Sequence, residues 1–230
     1  MSSLDVRAFT VGPVQENSYI VRANSDATSA LLIDPGDEPE RLSQAIAGLG
    51  VEIEAILITH CHFDHIGAVA PLARETSAPV YCPEIERPLL TDIMSWVPPG
   101  FGPFENYEPE HTVSGGEHLN LAGLDIDVIF TPGHSPGHVT YVIGSSTHPA
   151  LLSGDVLFQG SVGRVDLPGG DWPTLERSIG GLIQRYPPET VVYPGHMGVT
   201  TLGRELDTNP FLSELRVPVP RERAADSPAA

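Results

Sequence analysis

The stretch ILITHCHFDHIGAV, residues 56–69, places His60, His62, Asp64 and His65 within six positions directly behind an apolar run. Imidazole and carboxylate are the donors that borderline first-row divalent ions such as zinc prefer. Packed this tightly, four such groups repel one another or stay unsatisfied unless an ion lies among them. In an extended segment His60, His62 and Asp64 share one side, Cys61 and Phe63 face the other, and His65 is re-aimed as the chain turns into a helix. The spacing predicts two ligand pairs able to serve two nearby ions, and a carboxylate suits a bridging position. Cys61 faces away on this geometry and is not enlisted. A purely structural ion is the bland alternative, although such sites tend to be closed and rich in cysteine.

The same device recurs along the chain. AILIT leads to His60, DVIFTPG to His134, ALLSG to Asp155 and VVYPG to His196. In each case a β-rich apolar run stops at a small or turn residue and delivers a side chain able to bind metal. If these strands run the same way, the ligands gather at one sheet edge, where open α/β sheets place their sites. His134, Asp155 and His196 carry little alone and gain weight from this shared context. His111, His118 and His148 receive no role, because an isolated histidine is more often a hydrogen-bonded structural residue.

The positioning elements are legible from period and punctuation. VRAFTV, SYIVRA and ALLIDPG read as adjacent strands. EPERLSQAIAGLG sets Leu42, Ala45, Ile46 and Leu49 at helical spacing and closes on Gly50, a C-terminal cap. EAILIT is a strand and GAVAPLARETSA a helix leaving the histidine motif. From about Glu84 to Gly116 aromatics and prolines mix without a period, so residues 85–116 are a loop or lid candidate, with Trp96, Phe101, Phe104 and Tyr107 as its aromatic face. Strands resume with LDIDVIFTPG, HVTYVIG and ALLSGD, followed by a helix WPTLERSIGGLIQRY, a strand TVVYPGH and a short helix around 203–207. Strands, helices, strands, helices predict a layered α/β domain over residues 1–215. Residues 216–230, RVPVPRERAADSPAA, are polar and rich in Pro and Ala, and are expected to form a disordered tail.

Composition narrows the classes. The net charge of −18 opposes nucleic acid and anionic lipid, and no local basic patch counters it. No apolar run of membrane-spanning length occurs and the N-terminus lacks a signal-peptide profile, so a cytoplasmic location is expected. The two cysteines are expected to be reduced thiols rather than a disulfide scaffold. Oligomeric state leaves no trace in a single sequence.

With those residues in view, the chain resembles the metallo-β-lactamase superfamily, and within it the short glyoxalase II-like hydrolases, over nearly its whole length to about Leu212. The family motif H-x-H-x-D-H stands here as HCHFDH, the next ligand segment as TPGHSPGH, the aspartate segment as SGDVLF and the last ligand as YPGH. GSVGRVDLPGGD and TLGRELDTNPFL carry the likeness to the glyoxalase II-like subgroup. The resemblance implies a four-layer αββα sandwich. It implies one ion held by His60, His62 and His134, a second held by Asp64, His65 and His196, and Asp155 bridging both. The ions would be zinc, with iron or manganese as alternatives. His138 would support a ligand by hydrogen bonding.

The activity so implied is hydrolysis of a small-molecule thioester such as S-lactoylglutathione by a metal-bridging hydroxide, with Asp64 orienting the nucleophile. Arg164 stands where glyoxalase II proteins commonly carry a lysine that meets the carboxylate of the thiol carrier, and arginine can make that contact bidentately. Full-length glyoxalase II proteins continue into a helical C-terminal domain that contributes much of the glutathione contact. This chain is expected to lack it, so the carrier stays open. The main rival is a persulfide dioxygenase with a single iron on His60, His134 and Asp155. From another class comes a non-catalytic metal-binding protein of the same fold.

Overall fold

The computed structural model describes residues 4–145 and 148–216. The chain first builds a six-stranded sheet from β1 (Asp5–Val11), β2 (Glu16–Arg22), β3 (Ser29–Ile33), β4 (Glu52–Leu57), β5 (Val80–Pro83) and β6 (His111–Val113), paired in that order. The first three strands are antiparallel, and from β3 to β6 the pairing is parallel. Parallel neighbours need crossovers. Helix α1 (Pro39–Leu49) supplies one, and the short α2 (Phe63–Ile66) with α3 (Val69–Thr76) supplies the next.

The second sheet contains β7 (His118–Leu121), β8 (Leu124–Phe130), β9 (Val139–Ser145), β10 (His148–Gly154), β13 (Val191–Pro194) and β14 (Thr200–Thr201). A small hairpin of β11 (Leu157–Phe158) and β12 (Ser161–Val162) projects after β10. Helix α5 (Trp172–Arg185) crosses from β10 to its parallel neighbour β13, and α6 (Leu202–Thr208) follows β14. Asp171 caps α5, its side chain accepting the Thr174 N–H at 2.9 Å.

Side-chain alternation sorts three apolar layers. Leu31 and Ile33 of β3 point between the sheets, where they meet Ile126, Val128, Tyr141 and Ile143. Ala30 and Leu32 point the other way, against Leu42, Ile46 and Leu72 of α1 and α3. Behind the second sheet, Leu151 and Val192 pack on Leu175, Ile179 and Leu182 of α5. Strands covered on both faces read as continuous apolar runs, as ALLI does. The result is the αββα sandwich, and each of its large buried side chains contributes about 1.5–3 kcal/mol.

One expectation is corrected. Residues 84–116 are not one unstructured lid: they contain a turn of 3-10 helix at Glu84–Glu86, helix α4 (Arg87–Thr91), a second 3-10 turn at Ile93–Ser95, and β6. Phe104 and Tyr107 pack against the first core, and the Phe101 ring lies 4.8 Å from that of Phe63. At the end of the described chain the Arg216 guanidinium donates to the carbonyls of Leu206 and Asn209, both at 2.7 Å. Residues 217–230 of the expected tail lie outside the described residues.

Candidate metal centre

Four element ends converge at one edge of the sandwich. β4 runs out through Thr59 into His60 and His62, β8 leads to His134, β10 to Asp155 and β13 to His196. The motif after β4 does not stay extended. The chain turns at Phe63 into α2, with the His65 N–H bonded to the His62 carbonyl at 2.9 Å. His60 and His62 therefore remain together while Asp64 swings away with His65, which corrects the expectation that Asp64 shares their side.

The first group comprises His60, His62 and His134. Nε2 of His134 lies 2.8 Å from Nδ1 of His62 and 3.2 Å from Nε2 of His60, and the latter two atoms are 3.1 Å apart. Three nitrogens at this separation can surround an ion with bonds of about 2.0–2.1 Å. The second group comprises Asp64, His65 and His196. Nε2 of His196 is 3.3 Å from Oδ2 of Asp64, and Nε2 of His65 is 4.0 Å from the same oxygen.

Asp155 stands between the groups. Its Oδ2 is 3.5 Å from Nε2 of His134 and 3.6 Å from Nε2 of His196, and its Oδ1 is 3.3 Å from Nε2 of His65. The structure thus gathers all seven candidate ligands.

Hydrogen bonds set the ring tautomers. Nδ1 of His134 donates to the Arg164 carbonyl at 2.7 Å, Nδ1 of His65 to Asp34 at 3.0 Å, and Nδ1 of His196 to the Gln15 carbonyl at 3.3 Å. Nδ1 of His60 donates to Thr59 Oγ1 at 3.1 Å, and that hydroxyl donates to Asp34 at 2.6 Å. Each ring therefore turns an Nε2 lone pair into the site, which is how metal-ligating histidines are oriented. Nε2 of His65 and Oδ1 of Asp155 are buried and make no hydrogen bond. A lone pair facing a carboxylate without a partner is costly, and a cation between them removes that cost. The residues fit divalent metal.

Charge states differ between the two groups. Burial, reinforced by neighbouring imidazoles, holds His60 well below its usual pKa, and burial with His134 brings His62 down to about 4. Neutral rings are the ligating form. For His65 burial opposes the charge, but Asp155 and Asp34 outweigh it and the pKa rises. For His196 burial is likewise outweighed, here by Asp64 and Asp155. Burial would raise Asp155, yet His65 and its neighbours keep it well below the usual carboxylate range.

Three supporting residues were not among the sequence candidates. Asp34, at the exit of β3, accepts the Thr59 N–H at 2.7 Å besides its bonds to Thr59 Oγ1 and His65, so its oxygens are occupied although it lies near His60 and His65. Its position repeats the strand-end pattern of Asp155, and ALLID offered that signal. Glu86, fully buried, accepts from the Cys61 N–H, the Ser135 hydroxyl and the Gly137 N–H. Asn17 donates to the carbonyls of Pro194 and Met197, steadying the His196 turn. His138 fulfils its expected part: its Nε2 accepts the Asp155 N–H at 3.1 Å.

The site floors an open cavity of about 860 Å³, within the range of small-molecule sites. Trp96 and Arg164 both line it, while Phe101, Phe104 and Tyr107 do not. The Arg164 guanidinium binds Asp166 bidentately, at 2.6 and 2.7 Å. Glu205 and Asn209 anchor the hairpin at the rim through the Gly160 N–H and the Ser161 carbonyl, which gives the TLGRELDTNPFL segment a structural purpose.

A profile of the metallo-beta-lactamase superfamily matches residues 11–196, and the chain belongs to that superfamily. It is 38% identical to the probable metallo-hydrolase YqgX of Bacillus subtilis, over 90% of this chain and 97% of that one. It is 32% identical to the hydroxyacylglutathione hydrolase GloC of Haemophilus influenzae, over 91% and 99%. Among solved structures, BLEG-1 B3 metallo-beta-lactamase superposes with a TM-score of 0.84 at 38% identity, covering 91% of this chain and all of that one. TTHA1623 in a di-iron-bound form superposes at 0.72 with 42% identity, covering 90% and 100%. The fold and family define a metal-dependent hydrolase. Among the described residues no helix is long and apolar enough to cross a membrane.

Proposed function

We propose that this chain is a two-metal hydrolase of small-molecule thioesters, of the glyoxalase II-like kind. The observation that carries the reading is Asp155, whose carboxylate stands between two separate ligand groups on the floor of a substrate-sized cavity. The likeness to a hydroxyacylglutathione hydrolase over nearly the full length of both chains supports it.

His60, His62 and His134 would hold one ion, Asp64, His65 and His196 the other, and Asp155 both. When bound, such ions polarise an acyl oxygen and lower the pKa of water enough to furnish a nucleophile near neutral pH. The remaining work belongs to the chain. Burial opposes ionisation of Asp64, but the hydrogen bond from His196 and the charge of His65 outweigh it, so its carboxylate can accept from and orient the attacking water. The carrier leaves as a thiolate, and with a thiol pKa of about 8.5 it needs no strong general acid. Arg164 stands at the rim with Nε and Nη2 on Asp166, and a substrate carboxylate could meet its Nη1 edge.

Zinc is the ion we assign first. The donors also accept iron and manganese, and the di-iron form of TTHA1623 makes iron the ion to measure beside zinc. Cys61 and Cys82 are free thiols 3.4 Å apart and buried, which suits a reducing compartment such as the cytoplasm. We expect neither nucleic acid nor membrane as a partner.

The test is elemental analysis of protein purified without added metal, beside hydrolysis of S-lactoylglutathione and other thioesters on the same sample. Two ions per chain with thioester turnover are expected. One iron with oxygen uptake on glutathione persulfide would replace this reading by the dioxygenase, and β-lactam turnover alone would replace it by the lactamase chemistry of BLEG-1. Metal without turnover on any of these would favour a non-catalytic protein.

A further inference from the structure

Resting on the thioesterase reading, we propose that the cavity selects neutral thioesters bearing an apolar or aryl acyl group and disfavours the anionic glutathione carrier. The walls carry the argument. Ile85, Leu89, Trp96 and Pro98 line one side, and Val14 and Met197 face the site from other elements. Val14, Ile85, Trp96 and Met197 are half of the eight large apolar side chains exposed among the described residues, and all four border this one cavity. Solvent-exposed apolar groups gathered at one mouth mark a surface that an apolar ligand covers.

Apart from the proposed ions on the floor, permanently charged cations are scarce in the same place. All 12 basic residues of the chain are arginines, and among the described residues only Arg164 lines the cavity. Its guanidinium is already matched by both oxygens of Asp166. A glutathione thioester brings two carboxylates and one ammonium group. A substrate carboxylate on the remaining Nη1 edge of Arg164 meets an exposed cation whose charge Asp166 already balances, so the net gain is small. The second carboxylate finds no basic partner among the lining residues, and the chain's charge of −18 opposes an anion at long range. A neutral carrier meets neither cost, and an apolar acyl group gains the walls. Hydrolysis then breaks the C–S bond and forms a C–O bond from water, releasing a carboxylic acid and a thiol.

The test separates binding from turnover on the metal-loaded full chain. Calorimetry with two non-hydrolysable thioethers, neutral S-benzyl-N-acetylcysteamine and anionic S-benzylglutathione, is expected to show the neutral ligand about tenfold tighter. Trp96→Ala should weaken the neutral ligand severalfold. Asp166→Asn should free Arg164 and strengthen S-benzylglutathione while leaving the neutral ligand unchanged. Equal or tighter binding of S-benzylglutathione overturns the inference. In turnover, a lower KM for S-lactoylglutathione than for S-benzoyl-N-acetylcysteamine overturns it and leaves the thioesterase reading standing. Hydrolysis of no thioester overturns that reading and the substrate class with it.

Discussion

Oε2 of Glu86 accepts the backbone N–H of Cys61 at 2.5 Å, between the two histidines that leave β4, while its Oε1 accepts the Gly137 N–H at 2.9 Å, three residues beyond His134. One buried carboxylate thus ties together the two loops that supply the first ligand group. Glu86→Ala leaves two buried N–H groups unpaired, at about 1–3 kcal/mol each, so a loss of roughly 3 kcal/mol is expected in urea denaturation. Glu86→Gln keeps an acceptor oxygen and should lose less. An alanine variant as stable as the parent would show that the loops do not depend on this tie.

Asp34 orients two ligands at once, His65 directly and His60 through Thr59. Asp34→Asn preserves shape but replaces one acceptor oxygen with a donor nitrogen. Metal affinity, followed by chelator competition, should fall about 10- to 100-fold, as for other groups that hold ligands in place. Unchanged affinity would remove Asp34 from the centre.

Gly195 precedes the last ligand, and a Cβ at this position would overlap Oδ1 of Asp155 and Cε1 of His65. Both belong to the buried floor and cannot move away freely. Gly195→Ala is expected to lower metal content, most at the second group, while the far-ultraviolet circular dichroism stays that of the parent. Full metal content in this variant would contradict the close approach.

Acid should strip the two groups in order. An imidazole must shed its proton to ligate, so a raised pKa lets protons compete at higher pH and a lowered one delays them. His65 and His196 are raised by carboxylates, whereas His60 is lowered and His62 sits at about 4. Ions per chain after dialysis across falling pH should drop in two steps, with the Asp64–His65–His196 group emptying first. Simultaneous release, or the reverse order in site-selective variants, would refute the assignment.

The convergence of the candidate ligands was legible because their signal is local: HCHFDH concentrates donors, and His134, Asp155 and His196 each end a β-rich run. The layered α/β class followed from the same runs, and the αββα sandwich from the family resemblance. Strands β5, β6 and β7 escaped because VYCP, HTV and HLNL are short and lie among prolines and acids. Glu86 was hidden for another reason. Its partners are two backbone groups 25 and 51 residues away and the Ser135 hydroxyl, and nothing in the spacing of a lone glutamate encodes them. The local turn at Phe63, set by α2, is what separated Asp64 from His60 and His62. Alternation along an extended chain could not anticipate it.

The ligand order also has a mechanical meaning. His60, His62, Asp64 and His65 follow a strand of the first sheet, while His134, Asp155 and His196 follow strands of the second. An ion held by both sets is a weld across the seam of the sandwich, closing chain from residue 60 to residue 196. Because only the assembled sandwich presents both sets, an ion bound there would act as a ligand of the native state alone and would add about 4 kcal/mol at a thousandfold excess over its dissociation constant. Chelators should then behave as mild denaturants, and two complementary fragments split between Gly115 and Gly116, which separates the two sets, should find each other more readily when metal is present.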